Sequence, residues 1–135
     1  MDQVTVLIEV DVNPTESEEK IRKGVFSLFG DLPMQLKPAA KGGVLTAESK
    51  GEETLCTLRN VLRRDHIRDA ARRAILKSLR GETFVFYLNK QVAFVGKASF
   101  CEAESESPLG SIKVTVHSDD PIALIDWLAP RTAKS

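Results

Sequence analysis

Alternation of apolar and polar residues limits the possible folds of this chain more than any other feature. In VTVLIEVDV, Val4, Val6, Ile8, Val10 and Val12 share one face at period two, with Thr5, Glu9 and Asp11 opposite and Leu7 the exception. A strand of that pattern is half-buried, one side on a core and the other turned away from it. SIKVTVHS repeats the alternation, and in TFVFYLN the residues Phe84, Phe86 and Leu88 share a face. A sheet with one apolar face needs a cover, and the stretches between these strands have helical spacing.

The first such stretch follows NPTESEEKI. Thr15 is the expected N-cap, Glu18 completes a capping box, and Glu16 and Glu19 suit the positive end of the helix dipole. Ile21, Val25, Leu28 and Phe29 then fall at i, i+4, i+7 and i+8, and FGDLP ends the helix. MQLKPAAKGGVLTAES predicts a weak strand, a Gly42-Gly43 turn and a second strand, with Pro38 confining the first to an edge or a strand end. EETLCTLRNVLRRDH and IRDAARRAILKSLRG are helical with a break at Asp65-His66, and Gly81 stands where a C-cap glycine would. TFVFYLNKQVAFVGKASF is expected to be a hairpin turning at Asn89-Lys90, with Val92, Phe94, Ala98 and Phe100 joining the face of Phe84. CEAESESPLG is an exposed loop. In DDPIALIDWLAP, Asp120 caps a short helix, Pro121 occupies its first turn and Pro130 stops it.

The order is therefore β-α-β-β-α(α)-β-β-β-α over one domain, residues 1–135. It predicts an α+β fold, a largely antiparallel sheet with helices packed on one face and Phe84, Phe86, Phe94 and Phe100 beneath them.

Several function classes are disfavoured by what the chain lacks. No apolar run approaches the ~18 residues of a membrane span. The N-terminus begins with an acid and alternates, which fits a strand and not a secretory signal. Cys56 and Cys101 are isolated, and they are expected to be reduced, unbridged and buried in a cytoplasmic protein. There is no GxxxxGK[ST], GxGxxG, HExxH or GxSxG motif. His66 and His117 have no metal-pair spacing, and Asp119-Asp120 is explained by helix capping. No catalytic residue, metal or cofactor is expected.

Charge is the informative feature. The chain carries 19 basic and 19 acidic residues, yet Arg59–Arg80 holds eight basic residues, Arg59, Arg63, Arg64, Arg68, Arg72, Arg73, Lys77 and Arg80, against Asp65 and Asp69 alone. On a helical wheel Ile67, Ala70, Ala71, Ala74 and Ile75 occupy one arc; Arg73, Lys77 and Arg80 gather on the outer side, and Arg68 and Arg72 flank the other edge. A purely structural account exists, since Asp69 can pair with Arg73, Asp65 with Arg68, and long basic stems can cover apolar rims. Two acids cannot neutralise eight bases, however, and seven of the eight are Arg, the side chain suited to phosphate and to stacking on bases. The expectation is an RNA-facing surface of Arg59, Arg63, Arg64, Arg68, Arg72, Arg73 and Lys77, with Lys90 and Lys97 as additional contacts. Tyr87, with Val85, Gln91, Val95 and Lys97, defines a second candidate on the sheet face opposite the phenylalanines. There an aromatic could hold unpaired bases, or Tyr87 and Val95 could simply pack under helices. A reading of another class is an assembly module, docking a partner or a second copy through the MQLKP edge.

EVDVNPTESEEKI, LRRDHIRDAARRAIL, FYLNKQVAFVGKASF, ESPLGSIKV and DDPIALIDWLAP together resemble the archaeal uncharacterised protein family 0201 over nearly the whole chain. The resemblance implies a fold like that of the ribosomal protein "L five", a sheet with helices on one side. It also implies RNA as a partner and association with exosome or ribosomal proteins, and it carries over no catalytic residue. Around Asp65 and His66 the chain lacks a Gln expected of the family, while Arg63, Arg64, Asp69 and Arg72 are in place.

Overall fold

In the computed structural model the long alternating strand β1 (Val4–Val12) lies in the middle of the sheet, antiparallel to a strand on each side. The structure describes residues 3–39, 42–101 and 111–130. In chain order, α1 (Glu18–Phe29) follows β1, and then β2 (Gln35–Pro38), β3 (Gly43–Lys50), α2 (Glu53–Arg64) and α3 (Arg68–Ser78). They are succeeded by β4 (Thr83–Asn89), the short α4 (Lys90–Ala93), β5 (Phe100–Cys101), β6 (Ser111–Ser118) and α5 (Pro121–Leu128). The six strands lie in the order β2-β3-β1-β6-β4-β5, and all of their pairings are antiparallel. The fold is thus α+β, as the alternation requires.

Register carries the alternation across the sheet. Ile8 faces Ala47 on one side and Val114 on the other, and Val114 in turn faces Phe86. One sheet face is therefore continuously apolar and joins a single core cluster with Val25 and Leu28 of α1, Leu58 and Leu62 of α2, and Leu124 and Leu128 of α5. The other face carries Leu7, Glu9, Thr46, Tyr87, Lys113 and Thr115, all only half-buried. Helix α3 buries Ala71 and Ile75 and packs beside β4. Among the described residues β5 pairs with Tyr87 and Leu88, and the Val85 amide donates to Ser78 Oγ at 2.9 Å instead.

Several local expectations are corrected. Helix α1 is capped by Ser17, two residues beyond Thr15; its Oγ accepts from Lys20 N, while Glu16 turns back to Asn13. The tight turn expected at Asn89-Lys90 does not form: Asn89 Oδ1 accepts from the Gln91 and Val92 amides and starts α4 instead, and β5 pairs antiparallel with β4 after this longer connection. A side chain that caps a helix competes with the turn that would have reversed the strand. The return to β4 occurs only at Phe100, so Phe94 and Phe100 are half-buried while Phe84 and Phe86 are core. Val95 is 66% exposed in the turn that follows α4. Gly81 is not the C-cap; α3 ends at Leu79, and Gly81 forms the tight turn into β4. The break at Asp65-His66 is present, with His66 at φ 58° between α2 and α3. The Gly42 turn is glycine-dependent, since a Cβ there would lie 2.0 Å from Val12 O. Cys56 is exposed and Cys101 half-buried, neither in a disulfide, which corrects the expectation of burial. The acidic loop expected at 102–110 lies outside the described residues.

Candidate nucleic-acid interface

The basic run divides by what each side chain touches. A helix leaves its last carbonyls without intrahelical partners, and at the end of α5 two arginines supply them. Arg59 Nε donates to Trp127 O at 2.8 Å with its guanidinium 5.1 Å from the Trp127 ring centre. Arg72 donates to Ala129 O at 3.2 Å and pairs with Asp126 at 2.8 Å. Both cations sit where the helix dipole is negative and lock α2 and α3 to α5. Their first duty is to the fold.

Arg64 is also engaged. It grips Asp65 through two hydrogen bonds and donates to Gly96 O at 2.7 Å, which ties the end of α2 to the turn after α4. Those hydrogen bonds hold the Asp65 carboxyl below its ordinary range, with Lys97 and His66 adding to the effect, and they raise the Arg64 guanidinium in turn. The expected Asp65–Arg68 pairing gives way to this adjacent one. Arg68 is half-buried, and its Nε is buried without a hydrogen-bond partner among the described residues. Lys97 is exposed near Asp65.

Lys90 is not at the surface. Its side chain is 2% exposed, and the ammonium donates to Asp11 O and to Glu16 at 2.9 Å, which fastens the start of α4 to the end of β1. Taking it as an RNA contact from sequence overlooked that the residue after a helix-capping Asn can point inward.

Arg63 and Arg73 remain exposed, with no hydrogen bond or ion pair among the described residues. Lys77 lies one turn beyond Arg73 and is also exposed. This is the outer side that the helical wheel assigned to Arg73, Lys77 and Arg80. That side borders the half-buried sheet face, where a groove of about 440 Å³ is lined by Ala74, Lys77, Arg80, Val85, Tyr87 and Lys113 among others. Arg80 folds back on the Leu79 carbonyl at 2.9 Å at the foot of α3. Lys113 stands directly opposite Tyr87 across the β4–β6 pairing. Lys113 was missed by sequence reasoning although the alternation of SIKVTV places it on the face away from the core; its adjacency to Tyr87 depends on a strand pairing that no local pattern reveals.

Among the described residues no group of three His, Cys, Asp or Glu side chains could hold a metal. His117 contacts Glu82 at 3.4 Å and Thr83 at 3.1 Å on an exposed patch. No described helix is long and apolar enough to cross a membrane.

Comparison with known proteins bears on this surface. A protein-family model described as RNA binding matches residues 5–118. A UPF0201 protein of Sulfurisphaera tokodaii is 45% identical over 129 residues, covering 96% of this chain and 89% of the relative. A UPF0201 protein of Pyrobaculum aerophilum is 41% identical over 91% of this chain and 87% of its own. The crystal structure of a UPF0201 protein from Methanococcus jannaschii superposes with a TM-score of 0.84 at 30% identity, covering 96% of both chains. A DUF54 protein of Sulfolobus solfataricus shares the fold alone, with a TM-score of 0.62 at 15% identity over 93% of this chain and 96% of its own. With identity of this order running from β1 through α5, the chain belongs to UPF0201 and to the family described as RNA binding.

Proposed function

We propose that this protein is a non-catalytic RNA-binding protein that contacts phosphates through the exposed members of its basic run. Arg63, Arg73 and Lys77 are the principal contacts, and Arg64, Arg68 and Lys97 contribute from the corner between α2 and α3. The observation that carries the reading is the division within the run. Arg59 and Arg72 have structural partners at the end of α5, whereas Arg63 and Arg73 face solvent with none among the described residues. A family described as RNA binding supplies the ligand class.

Phosphate contacts give salt-dependent affinity with little sequence information. Fluorescence anisotropy of a single-stranded RNA against salt tests the reading. The variant Arg63→Gln/Arg73→Gln/Lys77→Gln should bind more weakly, and the slope of log K against log[salt] should shrink by about 2, on the basis of roughly 0.7 for each phosphate no longer neutralised. The fold should be unaffected, because all three side chains are exposed. Wild-type binding no tighter than that of a neutral control protein at low salt would reject the proposal.

A second reading rests on β2, whose four residues are all exposed at the sheet edge, with Leu36 41% exposed. Such an edge is a template for pairing with a second copy or another protein. Sedimentation with and without nuclease separates the two: a complex that survives nuclease and high salt, with no RNA retained, favours assembly.

A further inference from the structure

We propose that the groove between α3 and the open sheet face receives one unpaired nucleotide of single-stranded RNA, with its base on the Tyr87 ring and its phosphate among Lys77, Arg80 and Lys113. This rests on the RNA-binding reading above and gives it a substrate class. The groove's volume of about 440 Å³ falls within the range of roughly 300–1,000 Å³ typical of small-ligand sites. Among the described residues its lining includes three cations and no acid.

Neighbouring concavities on the same face differ. The groove over β2 and β3 sets Glu9 and Glu48 beside Lys37, and the one between β1 and β6 sets Glu9 and Asp11 beside Lys113. Glu9 is the cross-strand neighbour of Lys113, yet it makes no ion pair with it among the described residues and does not line the α3 groove. Among the described residues, the α3 groove is thus the one of these concavities whose lining carries cations without an acid, and Tyr87 presents its ring there. Tyr87 is half-buried, and Val85 and Ala74 extend its apolar floor.

The geometry selects against duplex. Bases in an A-form helix are stacked inside it, whereas an unpaired base can be laid on an aromatic side chain that lies in a recess. Every base has a π-face, so the groove should be tolerant of sequence. Lys113 comes from the sheet and Lys77 and Arg80 from the end of α3, so a phosphate among them is held from two sides.

The chain supplies its own reporter. Cys101 lines the groove, while Cys56 is exposed on α2. Alkylation of the full chain by iodoacetamide, mapped by mass spectrometry, should show Cys101 slowed by a saturating oligouridylate or oligoadenylate and Cys56 unaffected. In parallel, anisotropy with the same oligomers and with a duplex of equal length compares Tyr87→Ala, Tyr87→Phe and Lys113→Gln. Tyr87→Ala should lose about 5- to 100-fold in single-strand affinity, the range expected for one base–aromatic stack. Tyr87→Phe should retain it, which separates loss of stacking from loss of folding, and duplex affinity should be unchanged in all three except for a modest fall in Lys113→Gln. Single-strand affinity unchanged in Tyr87→Ala, or Cys101 alkylated at the same rate with and without oligomer, overturns the groove while leaving the phosphate surface standing. Wild type that binds no RNA brings down both.

Discussion

Replacing Lys90 with Met should lower stability by about 3 kcal/mol or more and leave the salt slope of RNA binding where it is. The Lys90 side chain is 2% exposed and that of Glu16 only 13%, and removing one partner from such a pair strands the other charge where water cannot reach it well. Methionine keeps the bulk of the stem, so the loss measures the charge and its hydrogen bonds, including the one to Asp11 O. For a chain of this length a loss of that size corresponds to roughly 10 °C in Tm. Adding Glu16→Gln should recover part of it: the neutral amide oxygen can still accept from Asn13 N, as the carboxylate does at 2.9 Å, without an unpaired charge. Thermal unfolding of the single and double variants measures this. A Lys90→Met protein that melts like wild type but binds RNA with a shallower salt slope would return Lys90 to the interface.

The contrast between Lys90 and Arg73 marks how far sequence carries. Alternation and helical spacing are local, so β1, β4 and β6, the break at Asp65-His66, the Asp120 cap with Pro121 behind it and the β2 edge could all be read directly. The wheel also placed Arg73, Lys77 and Arg80 apart from Arg72, which the tertiary contacts tie to the end of α5. What could not be read was which basic residues find partners distant in sequence. Arg59 and Arg72 meet carbonyls at the end of α5, and Lys90 meets β1. Equal charge on a wheel does not distinguish a guanidinium that caps a helix end from one in water. The misplaced turn after β4 has a related origin. KQVAF fits a strand and a single helical turn about equally well, and short apolar runs do not settle between the two; the Asn89 side chain does, by capping the helical alternative.

That misplacement gives the second large effect, a difference between two phenylalanines that the sequence set side by side. Phe84 is fully buried, 6.2 Å from the Phe86 ring, and sits opposite Val116 of β6. Truncating it to Ala removes a fully buried ring from the core face of the sheet, and because its neighbours belong to strands held by register they cannot close the gap. Phe84→Ala should therefore cost about 3–5 kcal/mol. Phe94 lies instead just past the end of α4, half-buried, with the ammonium groups of Lys20 and Lys23 from α1 5.4 and 5.1 Å from its ring centre. Its removal leaves no enclosed cavity. What disappears is part of an apolar packing surface and two solvent-exposed cation–π interactions, each worth roughly 0.5–1 kcal/mol at most, so Phe94→Ala should cost about 1 kcal/mol. Urea denaturation of the two variants under one condition decides the matter. Equal losses would mean that residues 90–94 continue the sheet as a hairpin, and that Asn89 caps no helix.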